Sequence, residues 1–293
     1  MTLNWMLVPF VFRQSMCNEA FEGRGFADGA KAIRRAGYTG IEIAPFTLAE
    51  RPADIGAGLR REYRAAMDGE GLAFVGLHWL MVSPKGLHVT TPDAALRARS
   101  WDHIRELIGL AADLGPHSVM VFGSPRQRST TGGLTRAEAT RHYIDGLRSV
   151  APDGEARGVT VLVEALPIAQ SDVVETLAEA VAIVDAIASP AVRTMFDVHN
   201  AIDEAEPHAA LVERYFPYIH HVHVNELDGR HCGSPLASRG YDFKPVFEVL
   251  RRRGYHGWIS LEAFDFTPGA ERIATESLRH LESEIAQLNS HAL

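Results

Sequence analysis

Gly158–Pro167 reads GVTVLVEALP. The five residues from Val159 to Val163 favour an extended chain, Glu164 follows, and Pro167 stops the run. An apolar run of this kind fits a parallel strand buried on both faces. A carboxylate at the end of such a strand is costly to bury unless something pairs with it. The same form recurs three times: Val192–Asp197 (VRTMFD, then VHN), Ile219–His223 (IHHVH, then VNE) and Trp258–Glu262 (WISLE, then AFD). Glu164, Asp197, His223 and Glu262 therefore end four successive predicted strands, and all four are metal-ligand types.

The rest of the chain alternates between extended and helical patterns. Asn4–Pro9 is the first predicted strand, and Arg13–Gly25 reads as a polar loop. A helix is expected over Phe26–Ala36, with Gly37 placed to cap it. Strand two is Ile41–Ala44 with Glu42 inside it, a helix follows around Ile55–Gly69, and strand three, Leu72–Trp79, carries His78. After a long loop at Met81–Pro92, Trp101, Ile104, Ile108 and Ala111 recur at helical spacing. Strand four is Ser118–Phe122. The turn-rich, basic stretch Gly123–Gly133 (GSPRQRSTTGG) reads as a mobile lid over whatever lies beyond the strand ends. Tyr143, Leu147 and Val150 mark the next helix, and Leu177, Val181 and Val184 the one after strand five. Helices are also expected at Pro207–Tyr215, Lys244–Arg253 and Ala270–Leu288, with strands at Ile219–Val224 and Trp258–Phe264 and a loop at Asn225–Arg239.

Eight strands, each followed by a helix at intervals of about 25 to 45 residues, imply a parallel sheet with right-handed crossovers. In this length that is an α/β protein with a single closed (β/α)₈ barrel, a TIM barrel spanning 1–293 with no dividing linker. An open doubly wound sheet would show a Gly-rich phosphate turn after strand one. Here that strand leads into FVFRQSMCNEA. RRAGYTG (Arg34–Gly40) echoes RRRGYHG (Arg251–Gly257), each between a helix and the next strand, which favours a repeated unit. Active sites of such barrels lie at the C-terminal strand ends.

Composition narrows the partners. Hydrophobic residues make up 46% of the 293 and charged ones 23%, enough for a sizeable core. A net charge of -8 repels nucleic acid and anionic membranes. The two cysteines, Cys17 and Cys232, form no CxxC pair and fit a reduced cytoplasm. MTLNWMLVPFVF lacks the basic start and cleavage pattern of a signal peptide, and no run approaches the ~18 apolar residues that span a bilayer.

A barrel gathers the ends of strands five to eight around one mouth. Three carboxylates that close repel one another unless a cation sits between them. Three carboxylates and one imidazole make a hard, oxygen-rich site for a single divalent ion, Mn²⁺ first, then Mg²⁺ or Co²⁺, with Zn²⁺ least suited.

The combination resembles the sugar phosphate isomerase/epimerase superfamily with the xylose isomerase-like barrel, which contains ketose 3-epimerases, hydroxypyruvate isomerase and inosose-processing enzymes. The resemblance covers nearly the whole chain and is carried by VLVEALP, MFDVHN, HVHVNE and ISLEAFD. It implies that Glu164, Asp197, His223 and Glu262 bind one divalent metal and that Glu164 and Glu262 double as the acid/base pair. The implied activity is isomerisation or epimerisation of a sugar or sugar-like ketose by proton transfer through a metal-stabilised enediolate. A cytoplasmic enzyme with a small-molecule substrate is expected, with homo-oligomerisation left open.

Three departures affect substrate contacts. The family's substrate-binding His stands three residues after the strand-six Asp, whereas His199 stands two after Asp197. Its Arg stands six after the strand-seven His, whereas Arg230 stands seven after His223. Gln170 occupies the place of a second Glu six residues beyond Glu164. His199, Arg230, His78 and Glu42 are the candidate substrate contacts, each set against a plainer role as a loop residue, core hydrogen bond or salt bridge. Trp79, Phe46 and Phe264 are candidates to stack on a sugar, and His221 to lie beneath the metal. Arg126 and Arg128 are the cations a phosphorylated substrate would use.

Three other functions compete. An inosose-type dehydratase would use the same metal site as a lyase. An apurinic-site endonuclease with three zinc ions would need further His ligands. His78, and faintly Asp228 with His231, fit it, but strand four ends in VFGSP without a His. A non-catalytic sugar-binding barrel would not need two acid/base carboxylates.

Overall fold

The computed structural model describes residues 11–290. Eight parallel strands close into one barrel in sequence order. They are Arg13–Cys17 (β1), Gly40–Ile43 (β2), Ala73–Leu77 (β3), Val119–Phe122 (β4), Thr160–Val163 (β5), Val192–Asp197 (β6), Ile219–Val224 (β7) and Trp258–Leu261 (β8). Around them lie Phe26–Ala36 (α1), Ala57–Glu70 (α2), Ala94–Leu114 (α3), Pro125–Arg128 (α4), Arg136–Arg157 (α5), Leu177–Ile187 (α6), His208–Tyr215 (α7), Lys244–Arg252 (α8) and Ala270–Ser290 (α9). The single (β/α)₈ barrel expected from the sequence is the observed fold. No helix among the described residues is long and apolar enough to cross a membrane.

Helix ends follow local chemistry. Gly37, at φ 115°, closes α1 in a conformation that favours glycine. Asp93 accepts from the backbone N–H of Ala95 and Leu96 at the start of α3, and Thr135 with Glu138 forms a capping box on α5. The main core fills the layer between barrel and helices, where Ile41, Ile43, Val161 and Val163 meet Ile33, Ile104, Leu107 and Tyr143.

Inside the barrel the two halves differ. Val121, Leu162 and Met195 form a separate apolar cluster beneath the mouth. Across from it the inward positions are polar: Ser15 bonds Ser260, and Glu42 bonds His221. Side chains two residues apart share a face of a strand, so Gly123, Glu164 and Asp197 stand directly above the apolar cluster. The ladders of β5 and β8 stop one residue short of Glu164 and Glu262, which project from the strand ends.

Two expectations are corrected. The strand expected at Asn4–Pro9 lies outside the described residues, and β1 forms instead within the stretch read as a polar loop. RQSMC hides its pattern because polar Gln14 and Ser15 take buried positions while Arg13 is exposed. Arg13 lies over the Trp258 ring at 3.9 Å, Gln14 is buried, and Ser15 meets Ser260 across the barrel seam. Gly123–Gly133 is likewise no free lid. It contains α4, whose Arg128 is fully buried and donates to the Phe122 and Val174 carbonyls. Val89 N–H donates to the Gln127 carbonyl at 2.8 Å, and Thr130 N–H to Asp172 at 2.8 Å, fastening the segment to both neighbouring loops. Arg128, Ser129 and Thr130 all donate to protein groups, whereas Arg126 is exposed.

The β3–β4 junction is the thinnest, with only Gly76 opposite Val119 and Leu77 opposite Met120. A Cβ at Gly76 would lie 2.1 Å from the Val119 carbonyl oxygen, a backbone atom that cannot swing aside. Gly76→Ala is expected to destabilise the fold by ~1–3 kcal/mol, with faster amide exchange in β3 and β4 than elsewhere. A denaturant midpoint equal to wild type would contradict this.

Candidate active site and metal centre

Glu164, Asp197, His223 and Glu262 converge as the four strand ends require. One ligand atom from each lies within 4.8 Å of the other three, and all four residues are buried. His223 Nδ1 is 3.0 Å from Glu262 Oε2 and 3.5 Å from Asp197 Oδ2. Its other nitrogen, Nε2, meets Glu42 Oε1 at 3.1 Å. Glu42 Oε2 is 2.8 Å from His221 Nε2, so a buried chain His221–Glu42–His223 holds the ring from below. This corrects the reading of Glu42 as a substrate contact. It is fully buried, and both its oxygens are engaged by histidines.

Asn200 and Asn225 complete the cradle, and the sequence reading gave neither a role. Asn200 backbone N–H donates to Asp197 Oδ1 at 2.8 Å, and its side-chain amide donates to Glu164 Oε1 at 3.0 Å. Asn225 donates to the Glu262 carbonyl and accepts from His199 N–H. Their signal was position: Asn200 and Asn225 stand three and two residues after a ligand, inside the quoted motifs. Gly123 has a different part. A Cβ there would sit 2.2 Å from Glu164 Oε2, so the carboxylate occupies space that only glycine leaves open.

Electrostatics show what the cluster lacks. Burial, then repulsion from Asp197 and Glu262, pushes the Glu164 carboxyl up to about 8. Burial likewise raises Glu262, against the pull of His223. Burial alone would lower His223, but the Glu42 and Glu262 charges raise it well above the usual histidine range. Asp197 Oδ2 is buried without a hydrogen-bond partner. Mutually repelling carboxylates, an orphaned oxygen and one imidazole nitrogen are a donor set that fits a hard divalent ion.

Only some of the remaining candidates line the opening. His78 lines it together with Trp79, Gly123, Gln170 and Phe264. The Trp79 and Phe264 rings stand edge to face at 6.2 Å. His199 lies 5.1 Å from Phe264, and its Nδ1 donates to the Leu227 carbonyl at 2.7 Å, which leaves Nε2 free of that bond. Arg230 is held by Asp228 at 2.7 Å and Asp265 at 3.4 Å. Glu226 shapes the loop that carries it, accepting from Gly233 N–H and Tyr241 N–H. His231 pairs with Glu276 at 3.1 Å rather than with Asp228. Arg128 serves carbonyls and Arg126 is exposed, so neither lines the opening.

The chain belongs to the xylose isomerase-like TIM barrel family, which matches residues 30–284. It is 28% identical over 263 residues to L-ribulose 3-epimerase of Mesorhizobium japonicum, covering 88% of this chain and 83% of that one. A shorter match, 36% identical over 72 residues, is to inosose dehydratase of Serratia proteamaculans and covers 18% of this chain and 24% of that one. Among solved structures, apo 3-keto-D-glucoside 4-epimerase from E. coli superposes with a TM-score of 0.79 at 19% identity, covering 93% of this chain and 100% of the other.

The raised Glu164 carboxyl has a measurable consequence. Folded and metal-free, it holds its proton up to about pH 8, whereas the usual value is 4.5. The folded state thus binds more protons across that window, and this group's contribution makes stability fall as pH rises through it. A cation between the carboxylates removes the cause. The Tm gain from added Mn²⁺ is expected to grow between about pH 5 and about pH 8, with protons released on binding. A gain independent of pH would contradict the assignment. Gly123→Ala, which displaces Glu164, is expected to weaken Mn²⁺ binding by ~10-fold or more with unchanged circular dichroism, read by isothermal titration calorimetry.

Proposed function

We propose that this chain is a divalent-metal-dependent epimerase or isomerase of a ketose or closely related keto-sugar. The observation that carries the reading is the convergence of two acid/base-capable carboxylates, Glu164 and Glu262, with Asp197 and His223 in one buried cup. Similarity to an L-ribulose 3-epimerase over 88% of this chain supports the sugar class. Glu164, Asp197, His223 and Glu262 would hold the ion, with Mn²⁺ the best match among Mn²⁺, Mg²⁺ and Co²⁺. When bound, it supplies Lewis-acid polarisation of a substrate carbonyl.

The protein's own groups do the rest. Glu164 takes the proton next to the carbonyl from one face of the substrate, and Glu262 returns one from the other, inverting that carbon. The Asn200 amide on Glu164 Oε1 fixes where that carboxylate presents its free oxygen. His221 and Glu42 keep the His223 ring oriented so that Nδ1 faces the carboxylates. Trp79 and Phe264 offer an apolar wall for the C–H face of a sugar, with His199 beside it. Arg128 is bound to backbone carbonyls and Arg230 to two carboxylates, which favours an unphosphorylated substrate.

The inosose dehydratase similarity keeps one alternative: the same proton abstraction followed by loss of water. Incubation with Mn²⁺ and a panel of ketoses, inososes and hydroxypyruvate in D₂O separates the two. An epimerase incorporates deuterium and yields an isomer, whereas a dehydratase yields a product lighter by one water.

Glu164→Gln and Glu262→Gln each keep an oxygen for the ion and lose the base. Both are expected to retain substantial metal and lose turnover by ~10³-fold or more. One variant should still exchange the proton of one epimer while failing with the other. Asp197→Asn should lose metal affinity first. Near-normal turnover by either Glu→Gln variant with metal bound would remove the two-base mechanism and leave His199 as the next base to test.

A further inference from the structure

Glu19 belongs to none of the motifs, yet it is buried close to the mouth. It sits in the short 3₁₀ turn Asn18–Phe21, directly after β1. That turn is anchored to the segment after β2. Asn18 Oδ1 accepts from Ala44 N–H, and its amide donates to Thr47 Oγ1, each at 2.8 Å. From this fixed position Glu19 Oε2 lies 2.7 Å from His78 Nε2. A carboxylate on one ring nitrogen fixes both the orientation of an imidazole and the role of the other nitrogen.

The other nitrogen of His78 is buried without a hydrogen-bond partner. Its nearest carboxylate oxygen, on Glu42, is 3.8 Å away, too far for a hydrogen bond. His78 nevertheless lines the opening, together with Glu262, Trp79 and Phe264. The next residue, Trp79, has φ 52°, a left-handed backbone that a tryptophan rarely adopts. Strain of this kind persists where the surroundings over-determine it, commonly at ligand sites. An unsatisfied ring nitrogen and a strained aromatic thus stand side by side at one opening.

We propose that Glu19 is a positioning residue that presents His78 Nδ1 to a hydroxyl of the substrate. The site would then select a ketose with a free hydroxyl at that point and reject the deoxy or O-substituted analogue. This rests on the sugar reading above and names one contact within it. His78 touches substrate, whereas Glu19 acts through His78. A buried polar atom left unpaired by a deoxy analogue disfavours that analogue by about 10- to 100-fold.

The test uses the protein loaded with Mg²⁺ and labelled with ¹⁵N-histidine. His78 resonances are assigned by difference from His78→Gln. The probes are L-ribulose and ribitol, which carries hydroxyls but no carbonyl and does not turn over. Saturation with either is expected to move the His78 Nδ1 resonance. Glu19→Ala should abolish that movement and weaken ribitol binding by ~10-fold, with Mn²⁺ affinity within about threefold of wild type. Glu19→Gln, which keeps an acceptor oxygen, should restore most of the affinity. A purely structural role would lower Tm and metal affinity together, with no such rescue. Proton exchange on L-ribulose in D₂O with a motionless His78 resonance overturns this contact and leaves the sugar reading intact. Absence of both exchange and binding across the whole ketose panel overturns the sugar reading, and this contact with it.

Discussion

Mutual repulsion among Glu164, Asp197 and Glu262 is the constraint on which the rest depends. They are held with His223 within 4.8 Å of one another, in a place from which water is largely excluded. In water such a cluster would fly apart or protonate; here four strands of one barrel fix the backbone beneath it. The strand scaffold therefore holds a charge arrangement that the side chains alone would refuse, a common property of sites that bind ions and move protons. The apolar cluster of Val121, Leu162 and Met195 directly below denies these groups any solvent on that side.

The polar half of the barrel answers the same problem differently. Glu42 is buried as completely as any residue in the chain, and burial would raise its pKa. His223 and His221 outweigh burial and hold it well below the usual carboxylate range. Burial would also lower His78, but Glu19 raises it to about 9. Each buried anion in this half thus has an imidazole partner, whereas the carboxylates of the mouth share one imidazole among three. That imbalance separates a supporting network from a site that invites a cation.

The four clustered mouth residues were legible because each ends an apolar run, and a charge there has few structural excuses. Glu42 stood inside a predicted strand too, but its partners, His221 and His223, are about 180 residues away, so nothing local showed that its oxygens were already taken. Glu19 was hidden for the same reason, with its partner His78 lying 59 residues away, just after β3. β1 was misplaced because RQSMC lacks apolar alternation. Its inward serine is matched by Ser260, and its arginine by Trp258, on a strand at the other end of the chain.

By itself, the sequence determined the alternation of strands and helices, the single barrel, and which four residues stand at the C-terminal ends of β5 to β8. Those properties depend on patterns within a few residues, namely period, punctuation and the placing of a charge after an apolar run. Only the tertiary structure decided that Gly123 leaves room for Glu164 and that Asn200 and Asn225 brace the cup. It also showed that Arg128 is buried rather than part of a lid and that Arg230 is held between two acids. Each of these turns on which distant groups come within hydrogen-bond or contact distance. That is a property of barrel closure, in which the ends of neighbouring strands, tens of positions apart in the chain, become neighbours and the meaning of each polar side chain is set by its partner.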